Sequence, residues 1–355
     1  MLPTRADVVL LTAGVRDTIG ESVMASLPAR FNDKEELKKF RRRLLRWYGR
    51  NRRELPWRGQ RDPYRIWISE IMLQQTRAAV VAQRYPRFLR RFPTLRRLAR
   101  APLSAVLAEW SGLGYYRRAR YLHQAARELW KYRRHLPNHA AELRLLPGIG
   151  RYTAAAIASI AFDQPVAVVD GNVERVLRRV TASSKLDCWK AAETLLEPKR
   201  PGDFNQAMME LGAIVCLPSK PKCDICPLGE LCGRKLRGRV LAKKPGRSAR
   251  QRSKFWYQMV RHEGRILLVQ RSAAASLMPG MWELPACQAR AGHADFCLRH
   301  SVTNTDYQVF VALQKRQTAP KSLGGRWYKP AQLRSVPITG LTRKILKRAG
   351  FLDNQ

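Results

Sequence analysis

From residue 33 to about residue 215, apolar positions recur every three or four residues, the spacing that turns one face of a helix toward a core. Asn32 with Glu35 reads as a capping box, and Leu37, Phe40, Leu44 and Leu45 follow it at helical spacing. The periodicity breaks at "LPWRGQRDPY", "RFPT", "SGLGYY", "LPGIG" and "EPKRPGDF", and little between these breaks alternates as a strand would. The first two-thirds of the chain is therefore expected to be mainly α. Further on the pattern changes: "KFWYQMVRHEGRILLVQRS" holds two β-rich runs around His262-Glu263-Gly264, a hairpin signal, and "DYQVFVALQ" and "GRWYKP" continue the strand character. "ITGLTRKILKRAG" predicts a closing helix, so the C-terminal part is expected to be α+β. The expected layout is an N-terminal extension over residues 1–32, a helical domain over 33–233, a basic linker over 234–253 and an α+β domain over 254–355.

Composition adds a partner to this layout. Lys and Arg number 67 against 27 Asp and Glu, a formal charge of +40, which opposes compaction unless a polyanion neutralises part of it. Ten basic residues and no acidic one lie between Arg234 and Lys254, a run suited to lying along phosphates. No apolar run approaches the ~20 residues a spanning helix needs, and "DVVLLTAGV" near the start is too short and weakly flanked for a secretion signal. A soluble, nucleic-acid-binding monomer is expected, without a membrane partner.

Two stretches carry chemistry. Cys216, Cys223, Cys226 and Cys232 are spaced C-x6-C-x2-C-x5-C, whereas Cys188, Cys287 and Cys297 are scattered, a pattern that suits one metal site in a reducing compartment better than a disulfide framework. Four thiolates can hold a tetrahedral zinc or an iron–sulfur cluster, and the spacing alone leaves both open. In "LRLLPGIGRYTAAAIASIAF", Gly148 and Gly150 follow Pro147 between apolar helical segments. A tight turn there presents amides at a helix start, where a phosphate oxygen can dock, and makes Leu146, Gly148 and Gly150 candidate DNA contacts.

This hairpin, followed by Asp170 in "VVDGNVERVLRR" and then by the cysteine run of residues 216–232, resembles the endonuclease III superfamily of helix-hairpin-helix DNA glycosylases. That resemblance implies a [4Fe-4S] cluster on the four cysteines. Strand-cutting members carry a Lys two residues after the last Gly of the hairpin. Here Tyr152 stands there, and a phenol cannot form an iminium, so the chain is expected to remove a base and stop. Upstream, "ELPWRGQRDPYRIWISEIMLQQTR", with "SGLGYYRRARYLH", "FNQAMMELGAIVC" and "LMPGMWELP", resembles the MutY-type glycosylases, which excise adenine mispaired with 8-oxoguanine or guanine. The likeness runs through residues 33 to 350.

Breaking adenine's N-glycosidic bond requires a proton on the departing base. Glu70, flanked by apolar residues in "IWISEIML", is placed where desolvation would keep a carboxyl protonated near neutral pH; the alternative is a solvent-facing helix position. The resemblance makes it the acid that protonates N7. Asp170 precedes a helix, where it caps the first turn and is expected to stay charged to steady the electron-poor sugar. By the same resemblance Tyr152 and Asn172 organise Asp170 and the sugar. Gln75, Leu113 and Tyr115 match positions that wedge into the gap left by an extruded base or prop the opposing base, with Thr76 beside them, and Arg53, Trp57 and Glu210 match the wall of the adenine pocket.

The C-terminal domain resembles the Nudix-like domain with which these glycosylases read 8-oxoguanine. Its acids, Glu263, Glu283, Asp295, Asp306 and Asp353, do not form the carboxylate-rich helix of a Nudix hydrolase, so pyrophosphate hydrolysis is not expected. Where the family has a Phe-Ser-His-like stretch this chain has Val302-Thr303-Asn304, leaving Thr303 and Asn304 as the hydrogen-bonding candidates. The resemblance makes double-stranded DNA bearing such mispairs the partner, in a bacterial-type cytoplasm. It identifies no clamp or mismatch-repair partner.

Overall fold

The computed structural model describes residues 27–28, 31, 33–236, 250–288, 294–302, 305–315 and 325–352. Helices α1 Lys34–Asn51, α2 Pro63–Leu73, α3 Ala78–Arg91, α4 Leu95–Arg100, α5 Leu103–Glu109, α6 Arg117–Tyr132, α7 Ala140–Leu143, α8 Arg151–Phe162, α9 Gly171–Thr181, α10 Cys188–Leu195, α11 Pro201–Ile214 and α12 Gly233–Leu236 precede the strands. The strands are β1 Gln251–His262, β2 Arg265–Gln270, β3 Trp282–Glu283, β4 Phe296–Val302, β5 Thr305–Lys315 and β6 Arg326–Tyr328, closed by helix α13 Gly340–Arg348. The chain divides into two compact units, Met1–Ile71 with His135–Lys244 and Met72–Arg134 with Pro245–Gln355.

In the first unit, helix starts follow their local chemistry. Asp33 caps α1 by accepting from the Glu35 amide at 2.9 Å. The cap thus falls one residue beyond the expected Asn32, which lies outside the described residues. Asp62 accepts from the amides of Tyr64 and Arg65 at 2.8 and 3.2 Å, and Pro63 follows it, so α2 opens on a capping acid and a proline whose missing N–H costs nothing at that position. Phe40 and Leu44 of α1, Val173, Val176 and Leu177 of α9, and Phe204, Ala207 and Leu211 of α11 form one core. Two glycines set how closely α11 lies. A Cβ at Gly202 would stand 2.7 Å from the Ser159 carbonyl oxygen and one at Gly212 2.6 Å from the Asn172 Cβ, so any side chain there would drive α11 away from α8 or α9.

In the second unit the strands form a six-stranded sheet ordered β3-β2-β1-β5-β4, with β6 paired to β2. The expected hairpin is present: His262 pairs Arg265, and Glu263 and Gly264 have φ of 45° and 69°, the positive angles a two-residue turn of this hand requires. β1 and β5 run parallel from Gln251↔Thr305 to Arg261↔Lys315, a long-range pairing with no local signature. Met259, Ile266, Leu268, Val309 and Val311 bury against Ile345 and Leu346 of α13. The basic linker is structured at both ends, by α12 and by β1, which begins at Gln251; residues 237–249 lie outside the described residues.

Candidate functional site

α2 is apolar on nearly every side, so Glu70 cannot face solvent: it is 5% exposed, between Ser69 and Ile71 at 2% and 3%. The alternative of a solvent-facing position is thereby excluded. The Tyr152 hydroxyl donates to its Oε2 at 3.0 Å and also lies 3.1 Å from the Met209 sulfur on α11. Burial pushes the Glu70 pKa up to about 7; the Tyr152 hydrogen bond and the Arg58 charge act against that rise, and Asp170 adds to it. Tyr152 itself is held well above the usual phenol value by burial and by the two carboxylates near it.

Asp170 caps α9 as its position before the helix suggested. Its Oδ1 accepts from the amides of Asn172 at 2.9 Å and Val173 at 2.7 Å, and its Oδ2 from the Asn172 side-chain amide at 3.0 Å. Asn172 is fixed in turn, because its Oδ1 accepts from Arg175 at 2.8 Å. The segment leading to Asp170 is held by Asn205 of α11, 2% exposed, which accepts from the Val168 amide and donates to the Val166 carbonyl and Ser159 hydroxyl. Asn172 thus lies beside Asp170 as the resemblance implied, whereas Tyr152 is hydrogen-bonded to Glu70.

Two of the pocket candidates of this unit, Arg53 and Glu210, come together. Glu210 is 1% exposed and accepts three hydrogen bonds from Arg53, through its amide at 3.0 Å and its guanidinium at 2.7 and 3.0 Å. Trp57 is 7% exposed. Arg58 and Gln206, which sequence reasoning missed, complete the group: the Arg58 guanidinium donates to Glu210 at 2.7 Å and to the Gln206 side-chain oxygen at 2.5 Å. The available signal was the i, i+4 spacing of Gln206 and Glu210, which puts both on one face of α11. Burial acts to raise the Glu210 pKa, but the Arg53 hydrogen bonds and the Arg58 charge hold it below the usual carboxylate value. Glu210→Gln would leave the 13%-exposed Arg58 guanidinium without a carboxylate; a loss of about 3 kcal/mol is expected, read as a lower urea midpoint.

In the hairpin, Gly148 has φ of 77° and Gly150 caps α8. Both glycines are exposed, while the Leu146 side chain is 4% exposed and belongs to the core, so this turn offers backbone rather than Leu146's side chain to a partner.

The four cysteines 216, 223, 226 and 232 line one cavity of about 260 Å3, with Arg179, Leu211, Val215 and Leu228. Among the described residues no three His, Cys, Asp or Glu are grouped to hold a single metal ion. Four thiols lining one cavity are a donor set that suits a metal centre, an iron–sulfur cluster included. Two arginines of α9 pin this loop. Arg179 donates to the Cys216 sulfur at 3.2 Å and to the carbonyls of Cys216, Leu217 and Pro218, and Arg175 donates to the Cys216 carbonyl at 2.9 Å.

In the second unit, Gln75 and Tyr115 are exposed non-glycine residues with φ of 54° and 45°. Thr76 is part-buried and donates to the Leu113 carbonyl at 3.2 Å; Leu113 itself is 4% exposed. The structure thus brings the two turns carrying these four candidates together. Val302 ends β4, and Thr303 and Asn304 lie outside the described residues. The acids of the sheet region are dispersed: Glu283 is held by Arg271 at 2.8 Å, Asp306 by Arg250 at 3.0 Å, and Asp295 accepts from the Leu313 amide at 2.7 Å. Among the described residues no helix is long and apolar enough to cross a membrane.

Residues 68–201 match the HhH-GPD superfamily of base excision DNA repair proteins. An adenine DNA glycosylase of Rattus norvegicus is 50% identical over 220 residues, 57% of this chain and 43% of that protein. The chain therefore spans less than half the length of this mammalian relative. An adenine DNA glycosylase of Buchnera aphidicola subsp. Baizongia pistaciae is 38% identical over 259 residues, 70% of this chain and 72% of that protein. Among solved structures, a thermostable thymine-DNA glycosylase superposes with a TM-score of 0.54 at 33% identity, covering 57% of this chain and 98% of that one. With a 38% identical relative covered over 72% of its length, and with the hairpin, capping aspartate and cysteine loop in place, the chain belongs to the adenine DNA glycosylase family of the helix-hairpin-helix superfamily.

Proposed function

We propose that this protein is a monofunctional DNA glycosylase that extrudes adenine paired with 8-oxoguanine or guanine and hydrolyses its N-glycosidic bond. The observation that carries this reading is Glu70, a buried carboxyl whose pKa of about 7 leaves it protonated in a substantial fraction of molecules at neutral pH, hydrogen-bonded to Tyr152 and electrostatically coupled to Asp170. Glu70 gives its proton to N7, which turns the base into a competent leaving group. Asp170 lies beside the sugar, where its charge offsets the developing oxocarbenium ion. Water then completes the substitution. With Tyr152 at the position two residues after Gly150, no amine is present there to attack the sugar and cut the strand.

Arg58, Gln206, Arg53 and Trp57 supply donors, an acceptor and a flat wall for the extruded base, with Glu210 fixing the two arginines. The exposed Gln75 and Tyr115 enter the gap and touch the opposing base. The hairpin amides at Gly148 and Gly150 receive a backbone phosphate. Cys216, Cys223, Cys226 and Cys232 would hold a [4Fe-4S] cluster, which when bound ties the ends of residues 216–232 together. The C-terminal unit is Nudix-like in role: it reads the oxidised base, with Thr303 and Asn304 as hydrogen-bonding positions, and hydrolyses no pyrophosphate.

Purified protein incubated with labelled duplexes carrying A opposite 8-oxoguanine, A opposite G, T opposite G and A opposite T tests this reading. Alkali-labile sites are expected at adenine in the first two, and borohydride should trap little covalent complex. Labile sites at T opposite G alone would instead favour the activity named for the thymine-DNA glycosylase above, and none at any adenine would overturn the proposal. A strong borohydride adduct would overturn its monofunctional part.

A further inference from the structure

The second unit contains a half-buried guanidinium for which the proposed chemistry has no use. Arg118, in the first turn of α6, donates through Nη1 to the Met72 carbonyl at 2.9 Å, one of the carbonyls that the end of α2 leaves without a helical partner. Its Nη2 is shared by the Thr76 hydroxyl at 3.0 Å, the Leu113 carbonyl at 3.0 Å and the Gly114 carbonyl at 3.2 Å. Its carbon centre lies 5.4 Å from the ring centroid of Trp110 and 5.7 Å from that of Tyr115. Trp110 in turn donates to the Gly114 carbonyl at 3.1 Å.

These contacts tie two turns that are 37 residues apart in sequence. Each has a non-glycine residue in the left-handed region, Gln75 in one and Tyr115 in the other, and the second also needs Gly112 and Gly114 with φ of 96° and 70°. Backbone of this kind costs about 1–3 kcal/mol at each non-glycine residue and persists only where the surroundings hold it. Tyr115 is 49% exposed, so its own packing does little to hold it. The fixed elements are the Met72 carbonyl and Thr76 hydroxyl that bracket Gln75 and the Leu113 and Gly114 carbonyls that precede Tyr115, and Arg118 reaches all four. A guanidinium suits this task because its donors lie in a rigid plane, whereas an ammonium has one compact head.

We infer that Arg118 is a positioning residue that locks the Gln75–Thr76 turn to the Leu113–Tyr115 turn, so that both enter the duplex as one rigid probe. The inference rests on the proposed function for what the probe touches; the clamp itself is a property of the free protein. The two are therefore measured separately. Arg118→Met keeps the stem and removes every donor, and Arg118→Lys keeps the charge. Thr76→Val removes the hydroxyl that accepts from Arg118 and donates to Leu113, and it serves as a second probe of the clamp should Arg118→Met fold poorly.

Amide hydrogen exchange in DNA-free protein is expected to rise about tenfold or more in both turns of Arg118→Met, the loss of at least one charge-assisted hydrogen bond, while the body of α6 stays protected. Arg118→Lys should fall between it and the wild type, and Thr76→Val should shift both turns in the same direction by less. On DNA, 2-aminopurine in place of the target adenine reports extrusion. Arg118→Met should lose about tenfold or more in that signal and in single-turnover excision while keeping its affinity for undamaged duplex. Unchanged exchange in either turn would overturn the inference, as would an equal rise throughout α6, or affinity for undamaged duplex falling in step with extrusion. If the wild type neither extrudes nor excises adenine, the functional reading fails, and the exchange measurement still decides the clamp.

Discussion

Glu70→Gln is expected to lower single-turnover excision of adenine by about three orders of magnitude at pH 7, the scale on which a positioned general acid acts, and to leave a folded, DNA-binding protein. An amide of the same shape can keep the contact with the Tyr152 hydroxyl, but it has no acidic proton to give N7. Stability should move the other way. Burial lifts the folded-state pKa from 4.5 to about 7, so between those values the native protein holds a proton that the unfolded chain has released. The stability contributed by the protonated carboxyl is complete below 4.5 and is lost as pH rises through about 7. The glutamine variant has no such titration. Its stability relative to wild type should therefore increase across that window by about 3 kcal/mol, measured as the difference in urea midpoints at pH 4.5 and pH 8. Wild-type excision should decline as pH rises through the same value, because the reactive form of Glu70 is the protonated one. A glutamine variant that excised adenine at the wild-type rate would remove the acid from the mechanism.

The second large effect is expected at Asp170. Asp170→Asn should reduce excision by about a thousandfold, the upper range for removing one preorganised electrostatic contact, while the helix cap is kept. Asn caps a helix as well as Asp, so the amides of Asn172 and Val173 keep an acceptor. What is lost is the charge, together with the acceptor at Oδ2. An amide nitrogen there would meet the Asn172 nitrogen that now donates to it at 3.0 Å. Relief requires Asn172 to turn, which would then present a donor to Arg175 where the guanidinium now finds an oxygen at 2.8 Å. The variant therefore disturbs a chain of three side chains as well as removing a charge. Thermal melting beside single-turnover kinetics separates the two: an excision rate within tenfold of wild type in a well-folded protein would show that the sugar does not depend on this carboxylate.

How far these features could be read from the sequence depended on the range of the interaction. Asp170 as a cap, the His262-Glu263-Gly264 hairpin and the closing helix follow from residues within a few positions of one another, and each is present. For Glu70 the apolar neighbours on one short helix pointed to burial but left a solvent-facing position open, and only the packing of α2 decides between them. Arg58 could not be found in that way, since its partners Gln206 and Glu210 are 148 and 152 positions distant and nothing beside Arg58 in the sequence points to them. The same holds for Arg118, whose neighbours Arg117 and Arg120 share its charge while its acceptors lie as far back as Met72. Parallel pairing of β1 with β5 is set by tertiary topology, and the distribution of Tyr152's hydrogen bonds by how α2, α8 and α11 meet. The α1 cap was misplaced by one residue because Asn32 and Asp33 are both competent caps and only backbone geometry chooses between them.

Helix α9 is a short rod with different cargo at its two ends. Asp170 sits at its start and Arg179, about 14 Å further along the axis, grips the loop that begins at Cys216. Between them Arg175 touches the Cys216 carbonyl with one nitrogen and the Asn172 oxygen with another. Under the proposed function, oxidation of the four thiols would therefore tug on the very side chain that holds the Asp170 carboxylate, and is expected to slow excision more than it weakens binding to DNA.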